Sequence, residues 1–314
     1  MQRQPTMHPW TADDIPPQTG RLAVVTGGSD GLGYEIALAL ARAGSDVILA
    51  GRDGAKARAA LGRIRSLAPL AVVRFERLDL SNLASVADFS VRLAAMGVSV
   101  DLLVNNAGVM ASGKRQVTAD GFEMQLGSNY LGHFALTARL LPLLRRSGQA
   151  RVVQLSSLAH RHGSIHFDDL QLEHQYKPLR AYCQSKLAML MFALELQRRS
   201  DRHGWGLMST AAHPGYPRTG MMTRGPAARN WLSRAALILR PFLSQPAAAG
   251  ALPALFAATA KEVRPGWYYG PTGIFEMKGP AGWAAIDEKA RDPHAARRLW
   301  EASEKLTGVR WPQG

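Results

Sequence analysis

The chain has 314 residues, 46% of them hydrophobic and 20% charged, which allows a large core and excludes wholesale disorder. A single cysteine, Cys183, excludes an intrachain disulfide and suits a reducing compartment, so a cytoplasmic location is expected. The formal charge of +14 favours anionic partners such as phosphates or an acidic membrane face, but the arginines are scattered and no nucleic-acid motif accompanies them, so nucleic acid is not an expected partner.

Residues 1–20 read as an extended, proline-marked arm without the apolar run of a signal peptide. Alternation then begins. "RLAVVT" (21–26) predicts a strand, followed by a glycine-rich turn and a helix over "YEIALALARAG". "SDVILAG" (45–51), "AVVRFERLDL" (71–80) and "VDLLVNN" (100–106) predict further strands, with helices over 54–66 and 82–95 between them. A helical pattern runs from about Ala119 to Arg146. A strand follows at "ARVVQLSS" (150–157), a long helix from Arg180 to Arg202 and a strand at "GLMSTAAH" (206–213). "GWYYG" (266–270) is a candidate seventh strand. The longest apolar stretch, Pro246 to Ala260, contains Gly250 and Pro253 and is too short to span a bilayer.

Strands alternating with helices imply βαβ units and a parallel sheet covered on both faces. The expected fold is α/β: a doubly wound Rossmann fold, a three-layer αβα sandwich with six or seven parallel strands. No repeat or linker divides the chain, so one domain is expected over 21–314. The apolar set of residues 216–245 (Met221, Met222, Trp231, Leu237, Phe242) reads equally as a substrate lid and as helices packed on the sheet or on a second subunit.

"TGGSDGLG" (26–33) sits between the first strand and the first helix. Gly27, Gly31 and Gly33 leave room for a tight turn and a close phosphate, and the helix start offers free N–H groups to that anion. Gly27-Gly28-Ser29-Asp30-Gly31 also fits the G-x-S-x-G elbow of serine hydrolases, but an elbow after the first strand leaves no earlier strands to build an oxyanion hole. The second strand ends in "AGRD". Arg52 there can grip a ribose 2′-phosphate, which reads as NADP(H) preference with NAD(H) left open; Asp30 near the same phosphate would oppose it.

In "AYCQSKLAML", Tyr182 and Lys186 stand four apart and share a helix face. An ammonium near a phenol lowers the phenol pKa, and such a tyrosine exchanges protons with an alcohol or ketone oxygen. Ser157, at the end of the fifth strand, can donate to the same oxygen. All these residues fall at strand carboxyl ends, where open α/β sheets bind ligands.

In combination, Thr26-Gly27-x-x-x-Gly31-x-Gly33, Asp79-Leu80, Asn105-Asn106-Ala107-Gly108, Asn129, Ser157, Tyr182-x-x-x-Lys186 and His213-Pro214-Gly215 with Thr219 resemble the short-chain dehydrogenase/reductase family. "NYLGHFALT", "LSSLAH" and "YYGPTGIFEMKG" narrow the resemblance to its retinol-dehydrogenase-like branch. The resemblance implies Tyr182 as acid/base, Ser157 as orienter of the substrate oxygen, Lys186 on the nicotinamide ribose and Asn129 on a relay water. The cofactor would lie along Thr26, Gly27, Ser29, Asp30, Gly31, Leu32, Gly33 and Arg52. Asp79 and Leu80 would sit near adenine, Asn106, Ala107 and Gly108 near the ribose, and Pro214, Gly215 and Thr219 beside the nicotinamide, with Tyr182 and Lys186 closing it. "TGGSDGLG" departs from the branch's usual "TGANSGLG" at the phosphate turn. A small lipophilic carbonyl or alcohol is the implied substrate, and a homodimer or homotetramer is left open.

Other chemistries are weaker. His160, His162 and His166 cluster in "AHRHGSIH", which reads as a surface insertion rather than a metal site. Cys183 points away from Tyr182 by a helical step of about 100° and reads as packing. His213 reads as a shaper of the turn before Pro214. A sugar-nucleotide epimerase shares Y-x-x-x-K but spaces its glycines differently, and a cofactor-binding regulator without turnover would leave the Asn/Ser/Tyr/Lys set idle.

Overall fold

The computed structural model describes residues 9–111, 113–216 and 245–312. Eight strands form one sheet in the order β3-β2-β1-β4-β5-β6-β7-β8. They are β1 Leu22–Thr26, β2 Asp46–Gly51, β3 Val73–Arg77, β4 Leu102–Asn105, β5 Arg151–Leu155, β6 Met208–Ala212, β7 Tyr268–Pro271 and β8 Ala281–Trp283. The first seven are parallel; β8 pairs antiparallel with β7, Tyr269 opposite Trp283. The sheet therefore has one strand more than the sequence pattern suggests. Three residues are too few for a period of two to show.

Helices cover both faces. They are α1 Gly31–Arg42, α2 Gly54–Leu67, α3 Leu83–Ala95, α4 Gly132–Ser147, α5 Pro178–His203, α6 Ala247–Thr259, α7 Glu288–Arg291 and α8 Pro293–Thr307. Strand residues alternate between two cores, which is why the strands read as unbroken apolar runs. Ala23 and Val25 pack with Ile36, Leu40, Ile64 and Leu255 of α1, α2 and α6. Leu22 and Val24 pack with Phe89, Phe134, Phe192 and Trp300 of α3, α4, α5 and α8.

The helix expected from Ala119 starts later. Val117 and Glu123 form an isolated antiparallel bridge, and Gly121 adopts φ +82° between them. Glu123 then accepts from the N–H groups of Gln125 and Leu126, and a π-helical turn, Leu126–Leu131, leads into α4. A carboxylate acting as a helix cap outcompetes continuation of the helix toward the N-terminus. Burial pushes the Glu123 carboxyl above its usual range, against those two N–H bonds.

The order of strands reverses between β1 and β4, so a crevice opens at their carboxyl ends. Helix α5, which carries Tyr182 and Lys186, is held from behind by an aromatic cage. Phe192 lies 5.7 Å from Trp300 and 6.2 Å from Trp311, and Phe134 lies 5.0 Å from Trp300. Arg199 covers Trp300 at 4.2 Å. Trp300 is only 1% exposed, so Trp300→Ala is expected to lower unfolding free energy by about 3–5 kcal/mol. Urea unfolding checks this, and a loss under about 1 kcal/mol would show that α8 does not brace α5.

Candidate active site

The glycine turn is built around Thr26, whose hydroxyl is buried. It accepts from Ala107 N at 2.9 Å and meets His133 Nε2 at 2.9 Å. Asn106 Nδ2 donates to Thr26 O at 2.8 Å. The side chains of Thr26 and Asn106 are thereby committed to joining β1 to the end of β4. Glycine is needed in the turn for space. A Cβ on Gly33 would sit 2.2 Å from Gly27 O and 2.6 Å from Asn106 Nδ2, and Gly27 itself has φ +65°.

Asp30 caps α1 by accepting from Gly31 N at 2.8 Å, and Lys56 Nζ approaches its other oxygen at 3.6 Å. Both partners are exposed, so this ion pair is weak. The first-turn amides of Leu32 and Gly33 have no intrahelical acceptor. Ser29 Oγ is buried beside Gly51 without a hydrogen-bond partner among the described residues. Arg52 is exposed at the end of β2 and makes no hydrogen bond or ion pair among the described residues, whereas Asp53 caps α2 on Ala55 N and Lys56 N. A cradle shaped by glycine, an orphaned hydroxyl and an uncommitted guanidinium fit a dinucleotide cofactor. At the end of β3 the Asp79 carboxylate is taken by Ser81 N and Oγ, and the Leu80 carbonyl backs onto Gly132.

Ser157, Tyr182, Lys186, Asn129 and Gly108 meet at the carboxyl ends of β4 and β5. A methyl on Gly108 would lie 3.4 Å from both Asn129 Oδ1 and Lys186 Nζ. Asn129 sits in the π-turn, where its amide pairs with Val109 N at 2.7 Å and Val109 O at 3.0 Å and donates to Ser185 Oγ at 2.9 Å. Lys186 Nζ donates to Leu155 O at 3.0 Å and lies 5.8 Å from the centre of the Tyr182 ring. Ser156 Oγ donates to Lys186 O at 2.7 Å, which ties β5 to α5 and leaves Ser157 as the serine beside Tyr182.

The expected acidic phenol is not what this geometry produces. Burial raises the Tyr182 pKa, and the Ser157 hydrogen bond opposes it only in part. Burial also lowers Lys186 to about 8. The ammonium is turned to the Leu155 carbonyl rather than to the phenol oxygen, so desolvation prevails over attraction.

Several residues outside the expected set shape this centre. His133 Nδ1 lies 2.8 Å from Asn129 O and so carries the ring proton; its Nε2 accepts from Thr26. Burial holds it neutral, with a pKa of about 3. It thus links the glycine turn to Asn129. His160 is buried rather than on a surface insertion, and its Nδ1 bonds Ser157 O at 2.6 Å. His213 accepts from Gly215 N at 3.2 Å, which shapes the turn before Pro214 as expected, and donates Nε2–H to Glu276 at 3.1 Å. Glu276 also takes Arg161 Nη2 at 2.7 Å. Burial would raise its carboxyl, but His213, Ala285 N and Arg161 outweigh that and hold it low. Gly215, at φ +64°, leaves no room for a side chain against Met277 O. His133 lies inside "NYLGHFALT" and Glu276 inside "YYGPTGIFEMKG", but neither motif shows their partners; Glu276 acts 63 positions from His213. Thr219 and most of the 216–245 segment lie outside the described residues.

Residues 21–230 match the family described as short chain dehydrogenase. Human retinol dehydrogenase 13 is 40% identical over 309 residues, covering 93% of this chain and 86% of its own. Mouse polyprenol dehydrogenase is 39% identical over 307 residues, covering 94% and 86%. A crystal structure of an uncharacterised protein from Mycobacterium paratuberculosis superposes with a TM-score of 0.79 at 39% identity, covering 97% of this chain and all of that one. The NADP active-site complex of Pseudomonas aeruginosa RhlG superposes with a TM-score of 0.63 at 26% identity, covering 80% and 96%. With its crevice, glycine turn and Ser/Tyr/Lys centre, the chain belongs to the short-chain dehydrogenase/reductase family, in its retinol-dehydrogenase-like branch, and is an NAD(P)-dependent oxidoreductase of CH–OH groups.

Proposed function

We propose that the protein interconverts a lipophilic ketone or aldehyde and its alcohol with NADP(H), using Tyr182 as general acid and base. The observation that carries this is the gathering of Ser157, Tyr182 and Lys186 at the β5 end, beside Gly108 and Asn129. A bound nicotinamide would supply hydride to the carbonyl carbon, or take it from the alcohol carbon. Gly27, Gly31 and Gly33 give the dinucleotide close approach to the α1 start, and Ser29 and Arg52 hold the 2′-phosphate. Lys186 holds the ribose beside the reacting carbon. Asn129, fixed by Val109 and Ser185, would hold the water of a proton relay.

Ser157 donates to the substrate oxygen as charge grows there, and Tyr182 gives it a proton. The raised Tyr182 pKa keeps the phenol protonated at neutral pH, the form that reduction consumes. Relatives named retinol dehydrogenase and polyprenol dehydrogenase, at 40% and 39% identity, support an apolar substrate. Neither name selects the substrate of this chain.

Three outcomes are expected. Tyr182→Phe lowers kcat by at least about 100-fold, with NADPH binding retained in a fluorescence titration; near wild-type turnover would remove Tyr182 from the chemistry. Arg52→Ala weakens NADPH by about tenfold or more, by loss of a charge-assisted bond, and leaves NADH nearly unchanged; equal losses would show that Arg52 does not read the 2′-phosphate. Alcohol oxidation, which needs the phenolate, rises with pH through and above neutrality, while carbonyl reduction stays level until the phenol ionises. Paired pH profiles of kcat/KM check this, and a reduction rate that falls through neutral pH would contradict the raised phenol.

A further inference from the structure

Two side chains at the π-turn bridge the loop after β4 to α5. Asn129 does so between Val109 and Ser185, and Ser185 Oγ donates onward to Tyr182 O at 2.8 Å. Gln125, four residues earlier at the N-cap of the turn, repeats the arrangement nearer the start of α5. Its Oε1 accepts from Ala111 N at 3.2 Å, and its Nε2 donates to Pro178 O at 2.9 Å. Both partners are backbone groups of fixed polarity, so they settle which way the amide points. The two bridges reach α5 at 178 and 185, on either side of Tyr182.

The start of α5 needs such a tie. Its N-cap, Lys177, makes no side-chain capping bond. The segment leading to it carries Leu172 at φ +46° and Gln175 at φ +51°. Left-handed backbone costs such residues energy and persists only under tertiary restraint. The restraint is a polar cluster centred on Gln125 and Glu123, both fully buried. Gln125 Nε2 lies 3.4 Å from the Tyr176 hydroxyl, which donates to Glu123 Oε1 at 3.3 Å; that oxygen also accepts from Gln125 N at 3.0 Å. Gln171 Oε1 accepts from Glu123 N at 2.7 Å, and Arg115 Nε donates to Gln171 O at 2.9 Å. One amide therefore joins the loop after β4, the segment entering α5 and the helix turn that leads to the phenol.

We infer that Gln125 is a positioning residue for Tyr182: it fixes the first turn of α5, and with it the phenol, against the loop after β4. The consequence for turnover rests on the proposed acid/base role of Tyr182; the anchor itself does not. Wild type, Gln125→Glu and Gln125→Met are compared. The acidic variant still accepts from Ala111 N, but when ionised it has no hydrogen for Pro178 O and stands beside Glu123; the apolar variant replaces neither bond. Amide hydrogen exchange over residues 179–185 is expected to quicken about fivefold or more in both variants at neutral pH. Reduction of a water-soluble aldehyde, counted per NADPH site titrated by fluorescence, is expected to lose about tenfold or more in kcat, with NADPH affinity retained. As pH falls, the introduced carboxyl regains a proton and can donate to Pro178 O. The deficit of Gln125→Glu then narrows against wild type at the same pH, whereas that of Gln125→Met does not. Comparison at equal pH takes out Glu123 and Tyr176, which face the amide and are both raised by burial, and the Arg115–Glu173 pair behind them. If Gln125→Met does not fold, the acid recovery of Gln125→Glu decides alone. Unchanged exchange in α5 overturns the inference, and so does a deficit of Gln125→Glu that does not narrow in acid. Wild-type turnover in the variants overturns it when Tyr182→Phe is inactive. Quickened exchange with wild-type turnover, beside an active Tyr182→Phe, sinks the acid/base role instead and leaves the anchor.

Discussion

The Thr26 hydroxyl is the junction on which the rest of the crevice depends. It accepts from the amide of Ala107 and donates to the neutral imidazole of His133, whose other nitrogen donates to the Asn129 carbonyl. One hydroxyl thereby fixes the glycine turn, the end of β4 and the π-turn relative to one another. Each link is buried, and an unmade bond at such a depth leaves a polar group unsatisfied. The chain of donors also has a single direction. His133 cannot carry a second proton without losing the bond from Thr26, and burial opposes that proton.

A second set of bonds does the same for the strand-to-helix side. Ser156 ties β5 to the carbonyl of Lys186, while Lys186 Nζ returns to Leu155 O. His160 holds the backbone of Ser157. The candidate site side chains project from elements whose relative positions are over-determined by buried polar contacts. The aromatic cage around Trp300 steadies α5 from the far side. Precision at such a site comes from these supports as much as from the reacting groups.

Much of this was legible in the sequence, and the reasons are local. Strands β1, β2, β4, β5 and β6 announce themselves because both their faces are buried, β7 shows only as a candidate, and the glycine turn stands out because only glycine fits against Gly27 O and Asn106. Strand β8 is too short to carry a pattern. The helix expected from Ala119 begins late because Glu123 caps it, a long-range competition that periodicity does not register. Spacing placed Tyr182 and Lys186 on one face correctly but could not show where the ammonium points. Its partner is a carbonyl on β5, so the acid shift expected of the phenol gives way to desolvation. The bracing role of Glu276 was hidden because its partners lie at 161 and 213, and nothing in "GIFEMKG" points to them.

The Glu276 brace bears on how this scaffold can be re-engineered. One carboxylate spans two walls: the segment after Ser157, through Arg161, and the turn after β6, through His213. Gly270 belongs to the same unit, since a side chain there would run into the His213 ring. A turn transplanted from a homologue would therefore arrive with an anchor cut for a different socket. Residues 161, 213, 270 and 276 form a cassette that must be exchanged whole.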